Sequence, residues 1–255
     1  MKDRAGCCLI VFILAMTVLF GIINDDKTDI ITGLAVGIFL YASAPILVII
    51  FIVLIIICIL PDSTNQEPTM KLYIYDHCPF CVRARMIFGL RNVPVEEIIL
   101  PNDDEATPIG LIGAKQVPIL QKPDGSHMGE SLDIVRYIDE FAGQARLDET
   151  VRPAVQAWFD QVNKYYNHLV MPREVRLEPP LPEFATAEAI AYFVQKKEQN
   201  IGSFEQNLAE TNTYLERIHS ALPELVALLG EQPYLNGSAP GMEDIIIFPV
   251  LRNLT

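Results

Sequence analysis

Positive charge is scarce in this chain and dispersed where it occurs. Nineteen Lys and Arg stand against 32 Asp and Glu, for a net charge of −13, and no basic block interrupts the sequence. An acidic chain of this kind lacks the electrostatic footprint of a nucleic-acid partner. Cysteine is also sparse, with five in 255 residues. Cys7, Cys8 and Cys58 sit in apolar runs, where they read as small hydrophobes, with palmitoylation of Cys7 or Cys8 a second reading. That leaves Cys78 and Cys81 in the polar part of the chain, too few for the disulfide framework of a secreted domain and suited to a reducing compartment. The four histidines, His77, His127, His168 and His219, are single and scattered. A structural zinc site wants a second Cys/His pair at matched spacing, and none is present.

Charge is missing altogether from two stretches. Residues 7–23 ("CCLIVFILAMTVLFGII") and 30–60 carry no charged side chain. The first, 17 residues long, is just enough to cross a bilayer as a helix, and the second, 31 residues long, is ample. They read as a transmembrane hairpin over residues 1–60. A basic tail (Lys2, Arg4) before an acidic link (residues 24–29) places the N-terminus and the chain after Leu60 on the cytoplasmic side. A signal peptide over residues 1–23 is the rival reading, but no small-x-small cleavage site follows. Pro45 leaves a kinked or re-entrant second segment open.

Residues 61–69 ("PDSTNQEPT") are polar, proline-bounded and without apolar periodicity, as a linker would be. From Met70 the pattern is that of an α/β domain. "KLYIY" suits a buried strand, "CVRARMIFGLRN" has helical spacing through Val82, Met86 and Leu90, and "VEEIIL" is a second strand. A short helix over residues 103–112, a strand pair framed by "VPILQ" and "GSHMG", and a helix with apolar positions at Leu132, Val135 and Ile138, stopping at Gly143, complete residues 70–145. The order is βαβ, α, ββ, α, with a parallel, right-handed start. Residues 152–255 show only helical patterns, including a long stretch from Ala185 to Leu222, and predict an all-helical second domain.

In that frame Cys78 falls between the first strand and the first helix. A thiol there meets the free N–H groups and positive end of the helix, which favour the thiolate. Cys78 is then the exposed nucleophile, and Cys81, one turn on and more shielded, the resolving thiol. Pro79 suits the first helical turn, and Phe80 supplies an apolar wall. Arg83 and Arg85 either add to the field on the thiolate or belong to a solvated face. Half of a metal site and two inert buried thiols are the competing readings of the pair.

Four blocks in order, "MKLYIYDHCPFC", "KQVPIL", "ESLDIVRY" and "FPVLRNLT", resemble the glutaredoxin 2 family of two-domain bacterial glutaredoxins. The resemblance spans about residues 70–255. It implies a thioredoxin-like domain followed by a glutathione-transferase-like helical domain, and a glutathione-dependent disulfide oxidoreductase acting on protein–glutathione mixed disulfides and protein disulfides. Glutathione is then a co-substrate, and no permanently bound cofactor or metal is implied. It further implies a cis-proline at Pro118 facing the active sulfur, with the backbone of Val117 free to pair with glutathione as an added strand. Glu130 and Ser131 match the pair that holds the γ-glutamyl end, alongside the plainer role of capping the helix that follows. Lys115 is a candidate for the glycyl carboxylate, and Gln116 a weaker one.

Two features depart from the family pattern. The apolar hairpin implies a membrane-anchored enzyme with its catalytic domain in the cytoplasm, at a bacterial inner membrane, and a membrane partner through residues 7–60. At the other end, the family's helical domain would continue past Thr255, and Gly241, three before Asp244, stands where Ser or Thr would complete a capping box, so the last helix should start weakly. Glutathione conjugation and a non-enzymatic glutathione-binding or scaffold role in a membrane complex are the rival functions. Cys78 argues against the first, since transferases present Tyr or Ser to the glutathione thiol.

Overall fold

Alternation along one short segment organises the sheet. In β1 (Met70–Ile74) Met70, Leu72 and Ile74 are buried while Lys71 and Tyr73 are half-buried, the period of a strand with one face on the core. The structure is a computed structural model that describes residues 70–255, so the expected hairpin (1–60) and linker (61–69) lie outside the described residues. β1 pairs in parallel with β2 (Val95–Ile99), Met70 opposite Val95, and antiparallel with β3 (Ile119–Gln121), Leu72 opposite Leu120. β4 (His127–Met128) closes the edge, giving the order β2-β1-β3-β4.

Three helices accompany the strands: α1 (Pro79–Arg91), α2 (Ala106–Ile112) and α3 (Ser131–Phe141). Helix α1 ends where Asn92 turns left-handed and its N–H bonds back to Gly89 O. It buries Cys81, Ala84, Ile87 and Phe88, and α3 buries Ile134, Val135 and Ile138, in one core with the β1 side chains. That core continues without a break into the second half of the chain, through Val155, Trp158, Val162, Tyr166 and Leu169. Trp158 Nε1 donates to Ala221 O at 2.7 Å, which satisfies the one polar atom of a fully buried indole.

The second half is helical: α4 (Pro153–Glu174), a 3-10 turn (Pro182–Phe184), α5 (Ala187–Ile201), α6 (Phe204–Ala209), α7 (Thr211–Leu229) and α8 (Met242–Arg252). The stretch expected to run from Ala185 to Leu222 is three helices. Gly202, at φ 77°, stops α5, and the Ser203 hydroxyl starts α6 by accepting from the Gln206 N–H. Two of these helices, α4 and α7, are long enough to span a bilayer, but α4 carries Asp160, Lys164, Arg173 and Glu174, and α7 carries Glu216, Arg217 and Glu224. Among the described residues no helix is long and apolar enough to cross a membrane.

The expected weakness at the start of α8 is corrected. Asp244 accepts from the Gly241 N–H at 2.9 Å, and the oxygen that Ser or Thr would have supplied comes from Asn236, whose Oδ1 accepts from the Glu243 N–H at 2.8 Å. The Met242 N–H reaches Asp148 O at 2.9 Å. A Cβ at position 241 would lie 2.5 Å from Asn236 Cγ, so glycine leaves room for its own replacement cap. Glu243, fully buried, is answered by Arg152, which enters α4 and donates to both carboxylate oxygens and to Leu228 O and Leu235 O.

Candidate active site

Cys78 is the N-cap of α1, with extended backbone, and Pro79 begins the helix. Its carbonyl accepts the first helical bond, from the Val82 N–H at 3.1 Å, so the sulfur stands at the positive end of the helix. Cys78 is half-buried and Cys81, one turn later, is fully buried; both are free thiols. The Tyr75 N–H points at Cys81 Sγ from 3.4 Å. A hydrogen bond from Cys81, the charge on His77 and the backbone N–H groups of Phe80 and Cys81 lower the Cys78 pKa to about 6 despite its burial. Burial and the neighbouring Cys78 push the Cys81 thiol well up. The two sulfurs are therefore unequal: their surroundings favour the thiolate at Cys78 and the thiol at Cys81.

The surroundings of the pair come from both halves of the chain. Phe80 is 48% exposed beside the sulfur, and its ring lies 4.8 Å from the Arg83 guanidinium. Arg83 is only 6% exposed, is also 5.4 Å from the Phe159 ring, and forms no ion pair among the described residues. Of the two candidate arginines it is the one whose charge is coupled to Cys78. Arg85 instead bonds Asp76 at 2.6 Å and Glu97 at 2.9 Å.

His77 was not singled out by spacing. Its ring stacks with Tyr75 (5.6 Å) and Phe184 (5.0 Å), and the Phe193 ring meets it edge-on at 5.2 Å. Its Nδ1 lies 2.6 Å from Glu183 Oε1, and its backbone N–H donates to the same oxygen at 2.9 Å. Burial opposes protonation of this ring, but the bond to Glu183 and the charges of Glu174 and Cys78 outweigh it and raise the pKa. Asn253 donates to His77 O at 2.6 Å, and Arg252 bonds both the carbonyl and the carboxylate of Asp76. The helical half thus holds the loop that leads into Cys78.

The residues expected to hold glutathione lie on the adjoining loops. The Val117–Pro118 bond is cis, and among the described residues the Val117 backbone forms no hydrogen bond. Glu130 is exposed, at φ 61° and ψ 106°, in a region costing a non-glycine residue about 1–3 kcal/mol. Gln116 Nε2 reaches its carboxylate at 3.3 Å. Ser131 is the first residue of α3, 7% exposed, at that helix's positive end. Lys115 directs its three donors to Tyr75 Oη, Asn102 O and Asp104 O at 2.6–2.8 Å, so in this structure its ammonium braces the loop before α2. Among the described residues no group of three or more His, Cys, Asp or Glu is placed to hold a metal ion.

The described residues are similar to known proteins over almost their whole length. The family described as glutaredoxin 2, C-terminal domain, matches residues 154–255, and the glutathione S-transferase N-terminal domain matches residues 72–146. Glutaredoxin 2 of Escherichia coli K12 is 47% identical over 186 residues, 73% of this chain and 85% of the relative. The crystal structure of glutaredoxin 2 from Salmonella typhimurium in complex with glutathione superposes with a TM-score of 0.69 at 48% identity, covering 73% of this chain and 84% of that one. A glutathione S-transferase of Ceriporiopsis subvermispora, 16% identical, superposes with a TM-score of 0.54 over 74% of this chain and 88% of that one, and shows the fold alone. These matches correct the localisation expected from residues 7–60. The relatives matched are glutaredoxin 2 proteins, 85% of whose length is covered without any membrane-crossing helix among the residues described here. The expectation of a membrane-anchored enzyme is corrected on that ground; residues 7–60 themselves lie outside the described residues, and these matches lend the bilayer no support as a partner.

Proposed function

The chain belongs to the glutaredoxin 2 family, and from that premise we propose how its residues divide the work of a glutathione-dependent thiol–disulfide oxidoreductase. The Cys78 thiolate attacks the glutathione sulfur of a protein–glutathione mixed disulfide. The S–S bond breaks, the substrate's sulfur leaves as a thiolate and takes a proton, and Cys78 carries the glutathionyl group. A second glutathione thiolate attacks that disulfide, releasing oxidised glutathione and regenerating Cys78. For a protein disulfide, Cys81 displaces the substrate from Cys78 and forms the Cys78–Cys81 disulfide, which two glutathiones reduce. The observation that carries this division is the asymmetry of the pair: a half-buried sulfur at a helix start, where the thiolate is favoured, one turn from a fully buried sulfur.

Glutathione is bound, in this reading, along the loops flanking Cys78. The unpaired backbone of Val117 next to Pro118 pairs with the extended tripeptide, the α3 start at Ser131 takes the γ-glutamyl carboxylate, and Glu130 accepts from its ammonium. Phe80 walls the sulfur. Protein substrates are glutathionylated or disulfide-containing proteins that present the bond to the exposed Phe80 side. The test is turnover of a small glutathione mixed disulfide with glutathione, glutathione reductase and NADPH. Cys78→Ser should abolish it and Cys81→Ser leave it largely intact; the reverse ranking overturns the assignment.

A further inference from the structure

One buried group beside the nucleophile has no part in the chemistry above. Glu183, in the 3-10 turn of the helical half, is fully buried, and its Oε1 accepts from both the ring and the backbone N–H of His77. Its other oxygen has no partner among the described residues, where its carboxylate is spent entirely on the residue that precedes Cys78. The ring is held by stacking with Tyr75 and Phe184, and the main chain around it by Asn253. We propose that the helical half sets the reactivity of Cys78 through His77: Glu183 holds the imidazole charged and in place, and the imidazolium favours the Cys78 thiolate. His77 and Glu183 are positioning residues here, since neither is placed on substrate.

The groups around the ring allow this direction of influence. From α1 it faces Cys78; from α4, Glu174; from the 3-10 turn, Glu183. Lys197 of α5 and Cys78 both act on Glu174, Tyr166 feels the charges of Glu174 and Cys78, and Arg252 is engaged by Asp76. Tyr75 stays neutral, its hydroxyl pushed up by burial and by Cys81. Burial raises the Glu174 pKa to about 7, while the bonds from His77 lower that of Glu183 despite its burial. Glu183, bonded to the ring, is its counterion.

The proposal fixes a sign that a direct effect would reverse. Removing a carboxylate that acted on the thiolate itself would lower the Cys78 pKa. Removing one that acts by charging His77 raises it, because the imidazole loses its proton and the thiolate its nearby cation. The inference rests on Cys78 being the nucleophile of a glutaredoxin, so the test avoids both glutathione and protein substrate. The rate of Cys78 alkylation by iodoacetamide is followed against pH in a Cys81→Ser background, for otherwise unaltered protein, Glu183→Gln, His77→Asn and the combination. Gln keeps a side-chain acceptor for both His77 N–H groups, and melting curves recorded alongside report folding separately from the pH midpoint.

Glu183→Gln should raise the midpoint by about one unit, slowing alkylation at pH 6 roughly three- to tenfold. His77→Asn should raise it at least as far, and the double variant no further than His77→Asn alone, as expected for two residues acting in series. An unchanged or lowered midpoint in Glu183→Gln, or additive shifts in the double variant, overturns the proposal. Failure of the wild type to turn over a mixed disulfide would instead count against the catalytic reading, leaving the alkylation result to be judged by itself.

Discussion

The two halves of the described chain contribute to the site in different ways. The α/β half supplies the sulfur and its immediate field: Cys78, Cys81, the α1 N-terminus and the loops at Val117 and Ser131 are all within 62 positions of Met70. The helical half has no cysteine, yet Glu183, Arg252 and Asn253 bond the two residues before Cys78, and Glu174 adds to the field on His77. The first half makes the chemistry available and the second sets the conditions under which it runs. Because one core passes through both, neither condition is local.

The strongest way to break that comparison is at the sulfur. Cys78→Ser should reduce turnover to background, while Cys81→Ser should retain de-glutathionylation and lose the dithiol route, measured with a mixed disulfide and a protein disulfide side by side. Next in size is the shared core. Trp158→Ala removes a buried indole whose N–H is bonded across α4 and α7, and should cost about 3–5 kcal/mol. Urea unfolding followed by a probe in each half should still show one coincident transition; two separate transitions would make the halves independent.

Glu174 gives a smaller, pH-dependent effect. Burial raises its pKa to about 7, so the folded state holds a proton that the unfolded chain releases near 4.5. Its contribution to stability is full below the unfolded value and is lost as pH rises through about 7. Glu174→Gln should therefore stabilise the protein at pH 8 by about 1–3 kcal/mol and change little at pH 4, read from melting temperatures. A uniform change at both pH values would show that packing, and not ionisation, is at stake. The smallest effect is expected from Ser131→Ala, which should raise the KM for glutathione about three- to tenfold with kcat nearly unchanged.

What could be read in advance follows the reach of each interaction. The strand, the Cys-Pro-Phe-Cys turn and the helix after it are local, and their alternating and 3.6-residue periods appear directly in the side chains. The unequal exposure of the two thiols is legible too, because a helix start separates them by one turn. His77 reads as a lone histidine because its partner is 106 positions away in a 3-10 turn, and Glu174 reads as an ordinary charged end to an amphipathic helix. Gly241 reads as a weak helix start for the same reason: the oxygen that caps α8 lies on Asn236, outside the three-residue window of a capping box. The break at Gly202 and Ser203, by contrast, was available as a glycine stop followed by a serine cap.

The most direct measurement is mass spectrometry of the Cys81→Ser variant after brief exposure to a glutathione mixed disulfide, followed by peptide mapping. The account predicts a single glutathionyl group, attached to Cys78 and removed by added glutathione. An unmodified Cys78 in protein that is folded and reduced would contradict it.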